Sequence, residues 1–260
     1  MKYLIYLYTR SPCTTFKLNG LDDENSAMKN AVLPKMVASL DNAVFHSVMI
    51  LASGLSTRLG YPKQLLSKEG DPLLIYMMKQ ALATQPQAII VVIPKGNVAI
   101  EKAVNLLTVQ TTAITVVVNA NPETGMAHSL SLAIDALPHN DTLSNHRVLI
   151  MGVDQVLLDS QHLKNLLVGN SSVSASRYRY WDNLAMLKET NESLLGLPLV
   201  IDYEQLKPWQ THLEGDKGLR DLIRALPPNQ IAHVDNHLLS YDIDTPEQLA
   251  YARQQNWLDK

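Results

Sequence analysis

The loop at residues 51–63, LASGLSTRLGYPK, carries the groups that a chain of phosphates needs. Gly54 and Gly60 can free backbone amides to point at an anion. The Arg58 guanidinium can make bidentate contacts to phosphate oxygens, and the Lys63 ammonium can add a point charge. We interpret the loop as a phosphate site, and the simpler alternative is a surface turn that carries two cations.

The spacing of this loop excludes two common phosphate motifs. A P-loop has four residues between its glycines and a Lys-Ser/Thr pair directly after the second one. Here five residues separate Gly54 from Gly60, and Lys63 comes later and is followed by Gln64. The dinucleotide fingerprint also fails, because no second glycine follows Gly54 at the required distance.

Three acidic residues follow predicted strands and could bind a metal ion. Asp154 comes just after a strand predicted at residues 147–151. Asp242 and Asp244 alternate at the end of a strand predicted at 239–242, so they would share one face. Mg²⁺ prefers carboxylate oxygens. The alternatives are a turn-capping role for Asp154 and, for the other two, acids placed favourably before the last helix.

Apolar strands alternate with amphipathic helices from residue 47 onward. Strands are predicted at residues 47–52, 88–93, 113–118 and 147–151, and helices at 72–83, 98–107 and 126–137. This alternation predicts a three-layer, Rossmann-like α/β fold with a mostly parallel sheet. Because ligands bind beyond the carboxyl ends of such strands, the loops after residues 52, 118 and 151 are the expected binding edge.

The second half of the chain is less regular. A small antiparallel extension is predicted from paired strands at 172–177 and 184–188. Further strands are predicted at 231–234 and 239–242, and a turn at 196–198. Helices are predicted at 163–167, 217–226 and 246–254. Thr245 is the expected N-cap of the last helix, with Pro246 at its first position. The aromatic and basic run at 177–181 is interpreted as an exposed hairpin.

Composition limits the classes of partner. The 260 residues are 46% hydrophobic and 18% charged, with a formal net charge of −3, so neither nucleic acid nor an anionic membrane is expected as a partner. The single cysteine, Cys13, suits a reducing, cytoplasmic location. Residues 1–45 lack sustained periodicity, and we expect a loosely ordered appendage before a folded domain at 46–260.

The residue order of the 51–63 loop resembles the signature of the molybdenum cofactor nucleotidyltransferases, in particular their cytidylyltransferase-like, MobA-like branch. That branch typically has LAAGxSxRMGxxK. Here Ser53 stands for the second alanine and Leu59 for the methionine. The guanylyl-transferring branch usually has glycine where this chain has Ser53, so Ser53 matches neither branch.

The resemblance covers roughly residues 47–256 and implies roles for further residues. It implies nucleotide binding by Leu51, Ala52, Ser53, Gly54, Ser56, Arg58, Lys63, Asn119, Gly125 and Ser129. It implies acceptor binding by Gly196, Pro198, Gly215 and Asp216, metal binding by Asp154 together with Asp242 or Asp244, and catalytic roles for Arg58, Lys63 and Asp154. For Asp216, a helix-capping role is the alternative.

The reaction that the resemblance implies is Mg²⁺-dependent transfer of a nucleotidyl group, with CMP from CTP favoured, to the phosphate of a molybdopterin-type acceptor. Pyrophosphate leaves in an in-line substitution that requires positioning and charge neutralisation. A molybdoenzyme or its chaperone is the implied protein partner. The alternatives are another phosphorylated acceptor, such as a sugar phosphate, and a nucleotide-binding accessory protein without turnover.

Overall fold

The computed structural model describes residues 44–138, 146–179, 193–216 and 218–260. All of them belong to the unit Val44–Lys260. The strand predicted at 184–188, the aromatic residues Tyr180 and Trp181, Cys13, Lys217 and all but the last two residues of the predicted appendage lie outside the described residues.

A mixed sheet forms the centre of the described structure. Its strands are β1 (His46–Leu51), β4 (Ala88–Pro94), β5 (Ile114–Asn119), β6 (Arg147–Met151), β7 (Val173–Arg179), β8 (Ser193–Asp202) and β9 (Ile231–Asp235). Their order in the sheet is β5-β4-β1-β6-β8-β7-β9, and β8 runs antiparallel to both neighbours while the other pairs are parallel. A small separate antiparallel sheet pairs β2 (Ser67–Lys68) with β3 (Asp71–Pro72).

Helices cover both faces of this sheet. They are α1 (Leu73–Leu82), α2 (Val98–Thr108), α3 (Met126–Asp135), α4 (Ser160–Leu167), α5 (Tyr203–Trp209), α6 (Arg220–Arg224) and α7 (Pro246–Gln254). Buried residues of α1, α2, α4 and α7 pack on one face, and those of α3, α5 and α6 on the other. The three-layer, mostly parallel α/β fold predicted from the sequence is therefore confirmed.

The two-residue period of a strand explains how one sheet carries two cores. In β1, Val48 and Ile50 point into the core shared with α1, whereas Met49 between them points into the core shared with α3. All three side chains are fully buried. This burial on both faces accounts for the continuous apolar runs of β1, β4 and β6.

Parts of the second half differ from the sequence-based expectation. Residues 196–198, predicted as a turn, lie inside β8, where the pairing with β7 shifts register between Ala175 and Ser176. The bulge leaves Pro198, which has no amide hydrogen, outside the ladder. The strand predicted at 239–242 is wrong, because a 3-10 helix spans His237–Ser240 and Asp242 forms a single bridge to Gln155.

The helices of the described residues are short, and none is long and apolar enough to cross a membrane. The longest, α2, has eleven residues, about half of what a bilayer requires.

Candidate active site

The phosphate loop, residues 52–63, begins at the carboxyl end of β1, an inner strand of the sheet that lies between β4 and β6. The Ala52 amide still pairs with the Val92 carbonyl at 2.9 Å, after which the chain leaves the sheet. The buried side chain of Gln64 then ties the loop together, because its amide donates to the carbonyl oxygens of Ala52 at 2.7 Å and Gly54 at 2.8 Å. The residue that follows the loop therefore holds the start of the loop in place.

Ser56 and Lys63 set the shape of the rest of the loop. Ser56 adopts a left-handed backbone conformation with φ of 52°, and its hydroxyl oxygen accepts a hydrogen bond from the Lys63 amide at 3.2 Å. The contact brings Lys63 back toward the start of the loop. Lys63 and Gln64 open a short 3-10 helix, Lys63–Leu65, which is the helical turn that the loop leads into.

Both loop cations meet carboxylates from distant parts of the chain. The Lys63 Nζ atom lies 2.6 Å from Asp244 Oδ1 and 3.3 Å from Asp154 Oδ2. Arg58 Nη2 donates to the other Asp244 oxygen, Oδ2, at 2.6 Å. The Lys63 side chain is 11% exposed, whereas that of Arg58 is 71% exposed. Arg58, Lys63, Asp154 and Asp244 thus form one cluster, which brings together residues that were predicted to bind phosphates and residues that were predicted to bind metal.

The charges of this cluster stabilise one another. Burial alone would lower the pKa of Lys63, but the carboxylates of Asp154 and Asp244 outweigh burial and raise it above its ordinary value. Burial would likewise raise the pKa of Asp244, but Lys63 and Arg58 hold it below its ordinary value. Lys63 and Asp244 are therefore both charged at neutral pH.

The segments that carry Asp154 and Asp242 also meet. The Ile243 amide donates to the Asp154 carbonyl at 3.2 Å, and Gln155 bridges Asp242. Burial, together with the charges of Asp154 and Asp244, raises the pKa of Asp242. A cation between these carboxylates would relieve that repulsion.

No group of three or more His, Cys, Asp or Glu side chains in the described part of the chain is spaced to hold a metal ion unaided. Mg²⁺ is commonly bound by one or two carboxylates plus substrate phosphates. Asp154 and Asp242 fit that mode of binding.

A buried polar cluster lies beside the phosphate loop. Ser53, from the loop, and Ser129, from α3, place their hydroxyl oxygens 2.5 Å apart. The Asn119 amide, at the end of β5, donates to Ser129 at 3.1 Å and to Ser53 at 3.5 Å. The backbone amide of Asn121 donates to Asn119 Oδ1 at 2.8 Å, which fixes the orientation of the Asn119 side-chain amide. Three of the predicted nucleotide-binding residues thus form one hydrogen-bonded group.

Gly125 joins the predicted nucleotide side to the predicted acceptor side. It has φ of 97°, and a Cβ atom there would lie 2.5 Å from Asp216 Oδ1 and 2.7 Å from the Gly215 carbonyl oxygen. That carbonyl accepts a hydrogen bond from the Ala127 amide at 2.9 Å, at the start of α3. Only glycine satisfies both the backbone angle and this close approach.

Gly196 and Pro198 serve the packing of β8. A Cβ atom on Gly196 would collide with the hydroxyl group of Tyr178 on the paired strand β7. The Pro198 carbonyl accepts a hydrogen bond from Ser176 Oγ at 2.6 Å, and the intervening Leu197 carbonyl accepts one from Gln155 at 2.8 Å. Through Gln155, this part of β8 is linked to Asp154 and Asp242.

Sequence reasoning missed Gln64 and Tyr178. The signal for Gln64 was its position directly after Lys63, because a glutamine side-chain amide can donate to two backbone carbonyls at once. Tyr178 was interpreted as part of an exposed hairpin, but it is half-buried, and burial with the charges of Asp154 and Asp242 raises its pKa to about 12. Nothing in the run at 177–181 distinguishes that side chain from its neighbours.

Comparison with known proteins identifies the family of this chain. Residues 48–233 match the MobA-like NTP transferase domain. The chain belongs to this family. It is a nucleotidyltransferase, as the loop signature predicted. Asp242 and Asp244 lie beyond the matched residues, so the carboxylate contacts of the loop come partly from outside the family match.

Individual relatives share the fold across most of the chain. Rv0371c from Mycobacterium tuberculosis H37Rv is 21% identical, with a TM-score of 0.59, and the match covers 81% of this chain and 98% of that one. A manganese complex of Rv0371c has also been solved. The inositol-1-phosphate CTP transferase from T. maritima is 14% identical with a TM-score of 0.56, and the match covers 82% of this chain and 95% of that one.

A sequence relative covers a shorter stretch. The bifunctional protein GlmU from Alkalilimnicola ehrlichii is 31% identical over 123 residues, which is 46% of this chain. The chain matches only 24% of the length of that relative.

Proposed function

We propose that this nucleotidyltransferase transfers CMP from CTP to the phosphate of an acceptor of the molybdopterin type, releasing pyrophosphate. The observation that carries the proposal is the cluster in which Lys63 and Arg58 contact Asp154 and Asp244. Two loop cations next to carboxylates at the carboxyl end of a parallel sheet suit a metal-bound triphosphate.

The cations act on the phosphates. Lys63 and Arg58 donate hydrogen bonds to the phosphate oxygens and stabilise the charge that develops on the departing pyrophosphate. The phosphate loop holds both side chains close to this position beforehand, so little reorganisation is required. The acceptor phosphate is already anionic at neutral pH, so no general base is needed.

A divalent cation, Mg²⁺ in this proposal, would be held by Asp154 and Asp242. When bound, it neutralises phosphate charge during substitution at the α-phosphorus. The manganese complex of a structural relative supports a divalent cation in this fold. Burial and the neighbouring carboxylates, which raise the pKa of Asp242, indicate a position that gains from a positive charge.

The loop signature and the names of the relatives point to different phosphorylated acceptors. The loop signature favours a molybdopterin-type phosphate, whereas the names of relatives point to other phosphorylated acceptors, such as inositol 1-phosphate. We assign acceptor binding to the loop of Gly215 and Asp216, which contacts the start of α3. A molybdoenzyme or its chaperone would receive the product, and a cytoplasmic location stays the prediction made from the single cysteine.

Pyrophosphate release tests the proposal directly. CTP, GTP and ATP are each incubated with the full chain and Mg²⁺ or Mn²⁺, with molybdopterin, a sugar 1-phosphate or inositol 1-phosphate as the acceptor. We expect release that requires both the metal and an acceptor, and that is fastest with CTP and molybdopterin. Faster release with a sugar phosphate would favour the alternative acceptor. Nucleotide binding without release under any condition would favour an accessory protein.

A Lys63→Ala variant tests the phosphate site separately. Removing the ammonium should weaken binding of the metal–triphosphate complex about tenfold or more, because a partly desolvated charge contact is lost. Lys79→Ala, which removes an exposed lysine paired with Asp71, is the matched control. Unchanged affinity in Lys63→Ala would mean that the triphosphate binds elsewhere.

A further inference from the structure

Asp244 differs from the other acidic residues of the site in its contacts. In the described part of the chain, it alone pairs with both loop cations, Lys63 through Oδ1 and Arg58 through Oδ2, each at 2.6 Å. Its backbone amide donates to Gln248 Oε1 at 2.8 Å, on the first turn of α7. The backbone of Asp244 is therefore fixed to a helix, and its carboxylate is fixed to the phosphate loop.

We infer that Asp244 is a positioning residue, the counter-ion that orients Lys63 and Arg58, and that it is not a metal ligand. The inference rests on the proposed function and deepens it, because it assigns different tasks to two acidic residues that share one segment. A metal ion on Asp244 would have to displace two cations. Asp242, in contrast, forms no ion pair with either of them among the described residues, and it lies beside Asp154.

Lys63 contacts two carboxylates, and the second, Asp244, is needed when a metal ion binds the first, Asp154. The Lys63 Nζ atom lies 3.3 Å from Asp154 Oδ2 and 2.6 Å from Asp244 Oδ1. A metal ion on Asp154 competes with Lys63 for that carboxylate. The Lys63 ammonium is mostly buried, and a buried charge without a partner is costly. Asp244 remains as its partner and keeps the ammonium beside the phosphates.

Arg58 depends on the same contact for a different reason. Its side chain is long and mostly exposed, so its guanidinium would otherwise move among many rotamers. Asp244 holds it on the same side of the loop as Lys63. Both cations then approach the triphosphate from the same side. Asp244 therefore contributes the orientation of the Lys63 and Arg58 side chains and not a change in net charge.

Three asparagine variants separate the roles. Asp244→Asn, Asp242→Asn and the control Asp235→Asn, an exposed residue paired with Arg177, each keep the side-chain shape and remove one charge. For each we would measure kcat at saturating triphosphate, the half-saturating concentration of Mn²⁺ or Mg²⁺, and the acetylation rate of Lys63 by mass spectrometry. The acetylation rate needs neither nucleotide nor turnover.

In Asp244→Asn, we expect kcat to fall about tenfold or more while the half-saturating metal concentration stays within about twofold, because only positioning is lost. Lys63 should be acetylated several-fold faster. Asp242→Asn should instead raise the half-saturating metal concentration and leave Lys63 acetylation unchanged, and Asp235→Asn should change neither.

Two outcomes would overturn the inference. One is a rise in the metal requirement of Asp244→Asn as large as that of Asp242→Asn. The other is an unchanged Lys63 acetylation rate in Asp244→Asn and in a second variant, Asp244→Ser. Serine is small and polar, and it also removes the charge at the residue before the N-cap of α7. A wild-type chain that releases no pyrophosphate would count against the proposed function, while the acetylation result would still decide the contact between Asp244 and Lys63.

Discussion

The Tyr178 hydroxyl group fills the space that a side chain on Gly196 would occupy. The two residues belong to paired strands, β7 and β8, and lie next to a bulge in that pairing. Gly196 was predicted to bind the acceptor, and its lack of a side chain has a packing reason that holds without any ligand. A glycine that is predicted to bind a ligand can thus also be required by packing, as at Gly196.

Replacing Gly196 with Ala should destabilise the chain by about 1–3 kcal/mol, because overpacking forces the Tyr178 ring to move. Tyr178→Phe should relieve part of that cost, so the double variant should be more stable than the sum of the single changes predicts. Denaturant unfolding of the four proteins measures this coupling. Gly54→Ala, which meets open space, is the control for stability. Strict additivity would show that the hydroxyl contact is unimportant.

Replacing Asp154 with Ala should lower metal-dependent turnover by about a hundredfold or more, because a metal ligand contributes several kcal/mol to such a reaction. Lys63 would keep Asp244 as a partner, so the thermal unfolding midpoint should change little. Turnover and the unfolding midpoint are measured on the same preparation. A rate close to that of the wild-type chain would remove Asp154 from the site.

Replacing Ser53 with Ala should raise the preference for CTP over GTP by about fivefold, the effect of roughly one hydrogen bond. Alanine is the residue of the cytidylyltransferase-like branch at this position, and the change removes one hydroxyl from the cluster with Ser129 and Asn119. The ratio of kcat/KM values for the two nucleotides is the measurement. An unchanged ratio would place the base away from this cluster.

Acidification should destabilise the fold through three buried histidines, His46, His146 and His162. Burial lowers the pKa of each below its ordinary value of 6.5. Below pH 6.5 the unfolded chain therefore takes up protons that the folded chain does not, and each histidine costs up to about 1.4 kcal/mol per pH unit. That loss continues until the pH reaches the lower, folded-state pKa.

Denaturant unfolding at pH 7.5, 6.5 and 5.5 measures this dependence. His46→Gln keeps a hydrogen-bonding side chain near Thr84 and should flatten the curve, because one of the titrating groups is gone. Equal stability at all three pH values would contradict the assignment of neutral, buried imidazoles.

Deleting residues 1–40 should leave pyrophosphate release and the unfolding midpoint close to those of the full chain. The reason is the lack of sustained periodicity in that stretch, which predicts no contribution to the core of the domain. Size-exclusion chromatography of the shortened chain is the check on folding. An insoluble or unfolded product would refute the prediction of a separate appendage.

Local patterns predicted several elements of the fold well. The strand at Arg147–Met151 and the helix at Pro246–Gln254 have the predicted bounds, and the predicted cap at Thr245 forms a capping box with Gln248. These elements depend on apolar periodicity and end signals, which lie in consecutive residues. The loop cations Arg58 and Lys63 were found for the same reason, because their spacing is local.

The failures came where tertiary pairing overrides local signals. Gly196 and Pro198 are strong turn signals, yet β8 continues through them because a bulge on the pairing with β7 accommodates both. The contact between Lys63 and Asp244 joins residues 181 positions apart, so no window of sequence contains it. Only the resemblance to a family suggested that the two segments belong to one site.

The position of Asp242 and Asp244 after the last strand has a consequence for synthesis. A ribosome produces every strand of the sheet, and the phosphate loop, before it adds these two carboxylates. A nascent chain that has reached β9 holds Lys63 and Arg58 without their common counter-ion. Competence for nucleotide chemistry is therefore acquired late in translation, and a premature stop codon after residue 235 would remove that counter-ion together with Leu239, Ile243, Ala252 and Leu258, which are buried in the core.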